Sequence, residues 1–410
     1  MKGKLILFLK YGFALVVLWF IIYFEPINIG PLKISQIWKG VLALLILFYL
    51  TSRKFPFFVL IGMLYSVKYL FYSHMPNDYI DAIRLTMEDL IFPISIGFFL
   101  VYFRAKIYKL DQLIYFSIFI SLFLILSNIP FFFGVESLYE EYDLSSKYGI
   151  EFSATKGLFY HIASASKMFT VATLLLIVLR RYFWTSFFSK LFWIFLILLG
   201  SYLIVMSWTR TAWFIYFIGL MIVVFYDSSL KVKFFGLLLS CVFFFFVTYM
   251  YNTNDAFRWR MTGGASYREE QELSLDQLAS ARIPYVVIAI DNLNDEGIAA
   301  WFIGHGEGRG KELFYKKSGM AITSHNKTFE ILESSGLVGL ILYFSFVFLL
   351  LYKVLLRVRF VDPVINKACM ICVYMFLVFY FTSHGTPIWG ELIYAAIFSY
   401  VILLGNCYKK

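Results

Sequence analysis

Twelve apolar runs, each long enough to cross about 30 Å of hydrocarbon as a helix, divide this chain; they begin near Leu5, Ile37, Phe55, Leu90, Leu113, Gly157, Phe187, Thr211, Phe234, Leu337, Ala368 and Trp389. A single water-soluble core cannot absorb so many. The pattern predicts an all-α polytopic membrane protein of about 12 transmembrane helices, and the composition agrees, with 61% hydrophobic and only 15% charged residues over 410 positions. Lys2 and Lys4 lead the first run as they would in a signal peptide. No small-residue cleavage site follows, so the run reads as a first anchor.

Basic residues between the runs set orientation, because cytoplasmic loops retain Lys and Arg. One set of alternate loops and ends holds 17: Lys2, Lys4, Arg53, Lys54, Arg104, Lys106, Lys109, Arg180, Arg181, Lys231, Lys233, Lys353, Arg357, Arg359, Lys367, Lys409 and Lys410. The opposite short loops hold five, Lys33, Arg84, Lys147, Lys156 and Arg210. This asymmetry puts both termini in the cytoplasm. It also makes the +10 formal charge a topology signal that needs no nucleic-acid partner.

Three stretches then fall on the far side: the acidic loop Val135 to Lys156, the turn around Arg210, and the long segment Tyr251 to Ser324. Charges nearly cancel in the last. Polar and apolar residues alternate at helical spacing over Glu269 to Ala281 and Ile283 to Leu293, which predicts a helical lid. The expected organisation is helices one to nine over residues 1–250, the lid with an interfacial helix over 251–335, and helices ten to twelve over 336–410.

The lid closes on His325 and Asn326, followed by nine residues, Gly336, two residues and Gly339. Asn326 or Ser324 can cap a helix over Lys327 to Ser335 by accepting from its first-turn N–H groups. Phe329 and Leu332 share one face, with Glu330 and Glu333 on a neighbouring one, so the helix is expected to lie along the membrane surface until Gly336 breaks it. The positive end of that helix disfavours a second positive charge beside it, which suits His325 to accept a proton. A histidine that only caps or packs is the competing reading. Before it, Gly304, Gly306, Gly308 and Gly310 alternate with His305, Glu307 and Arg309. This reads as a tight turn with a secondary phosphate-contact option, since it lacks the strand and helix of a nucleotide fingerprint.

Lys10, Lys39 and Lys190 lie close enough to the ends of runs to snorkel, whereas Lys68, His161 and Lys167 need a polar cavity or a partner. His161 and Lys167 share a run with Ser164 and Ser166. That fits a helix lining a wet cleft, or equally polar contacts between helices with Ala163 and Ala165 as small packing residues. Cys241, Cys369, Cys372 and Cys407 fall in or at the ends of apolar runs and are assigned no disulfide, with Cys369 and Cys372 read as packing residues. Cys369 and Cys372 have zinc spacing but no partner ligands. No repeat relates the two halves, which counts against a transporter built from inverted repeats.

The run Ser207, Trp208, Thr209, Arg210, Thr211, Ala212, Trp213 places an arginine where one span ends and the next begins, and Ser280, Ala281, Arg282 opens a lid helix. With the glycine turn and the His-Asn motif, these features resemble the O-antigen ligase and polymerase superfamily of bacterial envelope glycan synthesis. In topology the resemblance covers the whole chain. Its specific part runs from about Ser207 to Gly339 and rests most on His325, Asn326, Gly336 and Gly339, while Trp208 and Thr209 replace the more usual small residue and serine.

The resemblance implies a membrane glycosyltransferase of the bacterial cell inner membrane, working on its periplasmic side. Its donor would be an undecaprenyl-diphosphate-linked oligosaccharide, and its acceptor a growing glycan or lipid A-core. Membrane lipid and a chain-length regulator protein are the further implied partners, with no cofactor. Arg210 and Arg282 would hold the departing diphosphate bidentately without metal. His325 would take the proton of the acceptor hydroxyl, giving inversion at the sugar carbon. Asn326, Gly304, Gly306, Gly308, Lys167 and His161 are the candidate substrate contacts. No Asp-x-Asp metal motif is present, although Glu25 and the Glu140, Glu141, Asp143 group leave a carboxylate option.

Polymerase and ligase share the motif. A general likeness of the amino-terminal half to polysaccharide-locus proteins favours polymerase. A flippase for the same lipid-linked glycan would instead place its essential charges at mid-membrane, at Lys68, His161 and Lys167. A membrane scaffold would not need a lid carrying arginines.

Overall fold

The computed structural model describes residues 2–30, 32–51, 56–70, 79–104, 110–138, 156–159, 162–182, 184–207, 209–226, 230–254, 257–258, 282–318, 326–381 and 388–407. These are overwhelmingly helical. In chain order they form α1 (Lys2–Tyr23), a hairpin of β1 (Asn28–Ile29) and β2 (Leu32–Lys33), α2 (Ile34–Leu50), α3 (Phe57–Ser66), α4 (Tyr79–Arg104), α5 (Leu110–Leu126) and α6 (Ile129–Phe132). Then follow α7 (Ile162–Leu179), α8 (Phe187–Met206), α9 (Arg210–Phe225), α10 (Leu230–Thr253), α11 (Arg282–Asp295), α12 (Ile298–Ile303), α13 (Glu307–Ser318), α14 (Lys327–Val358), α15 (Pro363–Phe381) and α16 (Ile388–Cys407).

Helices α1 to α5, α7 to α10 and α14 to α16 stand at the apolar runs. Among the described residues, five stretches are long and apolar enough to cross a membrane: Leu85–Arg104, Gln112–Phe132, Ile162–Tyr182, Phe187–Met206 and Lys327–Val358. Others are apolar but shorter, α3 having 10 residues before a 3-10 turn at Val67–Leu70. Large apolar side chains cover the outside, with Phe48 at 80%, Phe188 at 78% and Phe245 at 74% exposure. Such a surface suits hydrocarbon, and the chain is consistent with an all-α membrane protein.

Helix α7 is the centre of the bundle, in contact with α5, α8, α9, α15 and α16. Small residues let its neighbours approach: a Cβ on Gly200 of α8 would overlap Thr173, and one on Gly219 of α9 would overlap Leu174. The buried hydroxyls of Ser166, Thr170 and Thr173 donate back to the carbonyls of Ala163, Ser166 and Phe169 at 2.9, 2.8 and 2.7 Å, satisfying themselves within the helix. Lys167 is enclosed among them, 2% exposed. Elsewhere, α4 lies against α16 and α2, and Ser399 of α16 donates to the carbonyl of Ile96 at 3.1 Å.

Three short helices gather on the first turns of α14. Leu293 of α11, Ala300 of α12 and Leu332 of α14 form a small buried core, flanked by Trp301, Phe329, Leu337 and Leu340. The helix expected over Ile283 to Leu293 is present within α11. Its predicted companion over Glu269 to Ala281 lies outside the described residues.

Candidate functional site at the lid joint

Gly336 has φ 61° and ψ −167°, which breaks the regular course of α14. Such a break strands carbonyls that an unbroken helix would satisfy. The glycine turn supplies the donors: His305 N–H donates to the Glu333 carbonyl at 2.8 Å and Gly306 N–H to the Ser334 carbonyl at 3.2 Å. Close approach of the two backbones needs glycine on both sides. A Cβ on Gly304 (φ 74°) would overlap Ser334 and Ser335 main chain, and one on Gly336 would overlap the Phe302 carbonyl. Gly304 N–H donates to the Ala300 carbonyl at 2.8 Å, so the amides of Gly304, His305 and Gly306 are all engaged inside the protein. The turn is a joint, which argues against the phosphate-cradle option for Gly304 and Gly306. The surroundings of Gly308 are not among those described.

A polar cluster is sealed inside this joint. Asn292 Nδ2 of α11 donates to Glu333 Oε1 at 3.4 Å, and His305 Nε2 stands 4.0 Å from the same oxygen. Asn292 is fully buried, His305 is 2% exposed and Glu333 5%. Glu333, expected on a polar face beside Glu330, is covered by the glycine turn, whose amides meet the stranded carbonyls of α14.

Asn326 caps α14 as expected, its Oδ1 accepting from Thr328 N–H at 3.0 Å. His325, the residue before it, lies outside the described residues, as does His161. Arg282 opens α11, and its side chain also lies outside them. Arg210 opens α9 after Thr209, the N-cap, whose hydroxyl donates to the Ser207 carbonyl at 3.1 Å and leaves the first turn without a side-chain cap. Trp213, one turn further on, donates its Nε1–H to the Ile204 carbonyl at 3.1 Å and fixes the α8–α9 corner. The fold therefore brings Asn326, Gly304 and Gly306 into one lid region, sets Arg210 at a helix corner and places Lys167 inside the bundle. The contacts that would bring Arg210, Arg282 and His325 together fall outside the described residues.

Four features went unread in the sequence. His305 and Glu333 were visible as residues, but their pairing is tertiary. Lys68 was expected to need a partner: Nζ lies 2.5 Å from Asp89 Oδ2 and 3.6 Å from the centre of the Tyr65 ring. Phe257 stacks flat on Trp213, with ring centres 5.0 Å apart and planes 4° from parallel. Arg309 bridges Glu296 at 2.9 Å and Glu312 at 3.0 Å, tying α13 to the end of α11. The Cys369 and Cys372 thiols are free and buried, in keeping with packing.

Together these features define a helical protein with membrane-type apolar helices and three short helices jointed to α14. Neither a family model nor a curated protein matches the chain.

Proposed function

We propose that the chain is a membrane glycosyltransferase that polymerises oligosaccharide repeat units carried on undecaprenyl diphosphate. In this reading twelve helices cross the bacterial inner membrane and the lid stands in the periplasm. The observation that carries it is the motif from His325 and Asn326 to Gly336 and Gly339. Asn326 capping α14 and Gly336 breaking it support the part of the motif from Asn326 onward as a built element.

The acceptor hydroxyl oxygen attacks the sugar C1 of the donor as His325 takes its proton. The bond from C1 to the diphosphate oxygen breaks, and the diphosphate leaves with the electron pair. Arg210 and Arg282 hold the charge that grows on it, and the sugar carbon inverts.

A ligase moving a finished glycan to lipid A-core would use the same groups. A flippase is less favoured because Lys68 pairs with Asp89, which accounts for that charge without a substrate path. Deleting the protein and identifying the accumulated glycan tests all three. Single repeat units on core support the polymerase, and complete chains left on the lipid carrier support the ligase. Undecorated core with lipid-linked units trapped on the cytoplasmic side would establish the flippase instead.

A further inference from the structure

We infer that α12 is an interfacial anchor, with Ile298, Phe302 and Ile303 inserted among the acyl chains of the leaflet that α14 enters at Gly336. The inference rests on the membrane character of the helices and not on the glycosyltransferase reading.

Two observations fix the height of α12. Residues 327–335 include Lys327, Glu330 and Glu333, whereas residues 337–352 carry no charge. The uncharged run belongs in hydrocarbon and the charged turns outside it, so Gly336 marks the boundary. Helix α12 ends on that glycine, where an added Cβ would overlap the Phe302 carbonyl and Ile303 N. Leu337 and Leu340, already beyond the boundary, pack against the core that Ala300 of α12 shares with Leu293 and Leu332. The short helix therefore lies beside the first apolar turn of α14, and not out in water above it.

The composition of α12 suits that height. Ile298–Ile303 reads Ile, Ala, Ala, Trp, Phe, Ile, without a charge. Ala300 is buried, while Ile298 and Phe302, one turn apart on one face, are 78% and 53% exposed, and Ile303 is exposed beside them. On α14, Val338 and Ile341 are exposed as well, so the short helix and the first turns of the span both present apolar surface at the boundary. The charges that flank α12 in sequence are paired: Arg309 bridges Glu296 at 2.9 Å, and Lys317 meets Asp295 at 2.6 Å. Trp301 donates its Nε1–H to Asn294 Oδ1 at 3.2 Å, which gives it the apolar body and satisfied polar tip of an aromatic at headgroup level. An exposed apolar face costs free energy in water, and acyl chains at this height cover it as they cover α14.

The full-length protein in phosphatidylcholine nanodiscs, one copy to each, provides the test. A nitroxide is attached in turn at Ile298→Cys, Phe302→Cys, Ile341→Cys and Lys316→Cys, in a chain carrying Cys241→Ser and Cys407→Ser. Its collisions with oxygen, which concentrates in hydrocarbon, are compared with those of a water-soluble nickel chelate. Oxygen should dominate at Ile298→Cys and Phe302→Cys, as at Ile341→Cys on the span, and the chelate should dominate at Lys316→Cys on α13. If Phe302→Cys does not fold, Ile298→Cys and Ile303→Cys carry the measurement. Chelate dominance on α12 would overturn the inference, leaving an aqueous surface for a protein partner or a second copy. Rare collisions with both reagents would overturn it too, because the protein itself would then cover the helix. Chelate dominance at Ile341→Cys would remove the membrane placement of α14 and the inference with it.

Discussion

The main-chain N–H of His305 donates to the carbonyl of Glu333 at 2.8 Å, while their side chains face each other across 4.0 Å. One residue pair thus links the lid to α14 twice, through backbone and through a buried polar cluster. Glu333→Ala removes the acceptor of Asn292 and leaves buried polar groups unsatisfied, a loss of about 1–3 kcal/mol. Glu333→Gln keeps an acceptor oxygen and should lose less. Unfolding midpoints in detergent compare the two, and equal losses would mean that charge, not hydrogen bonding, holds the cluster.

The glycines of the joint make a second prediction. Gly336→Ala forces a residue with a Cβ to φ 61°, a backbone strain of about 1–3 kcal/mol, and drives that Cβ into the Phe302 carbonyl. Gly304→Ala meets Ser334 and Ser335 main chain in the same way. Gly40→Ala is the control, since its Cβ would meet nothing within 4 Å. The first two variants should lower unfolding midpoint and membrane abundance while the control matches the native protein; a normal Gly336→Ala protein would show that the joint is not close-packed.

Surface charges on α13 should respond to salt where the buried joint does not. Lys316 at 2.7 Å, and then Arg309 at 3.0 Å, hold the Glu312 carboxyl below the usual carboxylate range. A carboxyl lowered in the folded state contributes stability above its unfolded range, and that contribution is lost as pH falls through the folded value. These groups are exposed, so salt also screens them. Relative to the intrinsic exchange rate at each pH, protection along α13 should therefore fall on acidification, and at fixed pH it should fall in about 1 M salt, where the screening length is near 3 Å, with protection of the His305 and Gly306 amides unmoved by the salt. Exchange on α13 indifferent to both conditions would show that apolar contacts alone seat it.

What was legible in the sequence follows from how local each cause is. Apolar runs declare helices because lipid demands them continuously along the chain. The Asn326 cap and the Gly336 break are equally local, each set by one residue and its own turn. Burial of Glu333 was not legible: an amphipathic pattern shows which face is polar but not what covers it. Lys68 announced its need for a partner, yet nothing near it in sequence named Asp89. The glycine turn was visible, but whether its amides point at a ligand or at α14 depends on a helix break far along the chain. The Phe257 and Trp213 stack joins parts of the chain that share no pattern.

His325 remains the residue on which the proposed chemistry turns. In sequence it directly precedes Asn326, whose side chain caps the first turn of α14. A hydroxyl arriving from the aqueous side would meet a donor whose tail stays in the bilayer near this point, and a general base matters only within hydrogen-bond reach of that hydroxyl. His325→Ala is expected to leave a folded, inserted protein that still binds lipid-linked donor, with glycan joining reduced on the order of 10² to 10⁴. An interfacial packing residue would behave differently: its loss would lower protein abundance and product together. Measuring glycan product and membrane protein level side by side separates the two. Product that falls only in proportion to protein level would make His325 structural, and Arg210 and Arg282 would then have an anion to hold but no proton acceptor beside it.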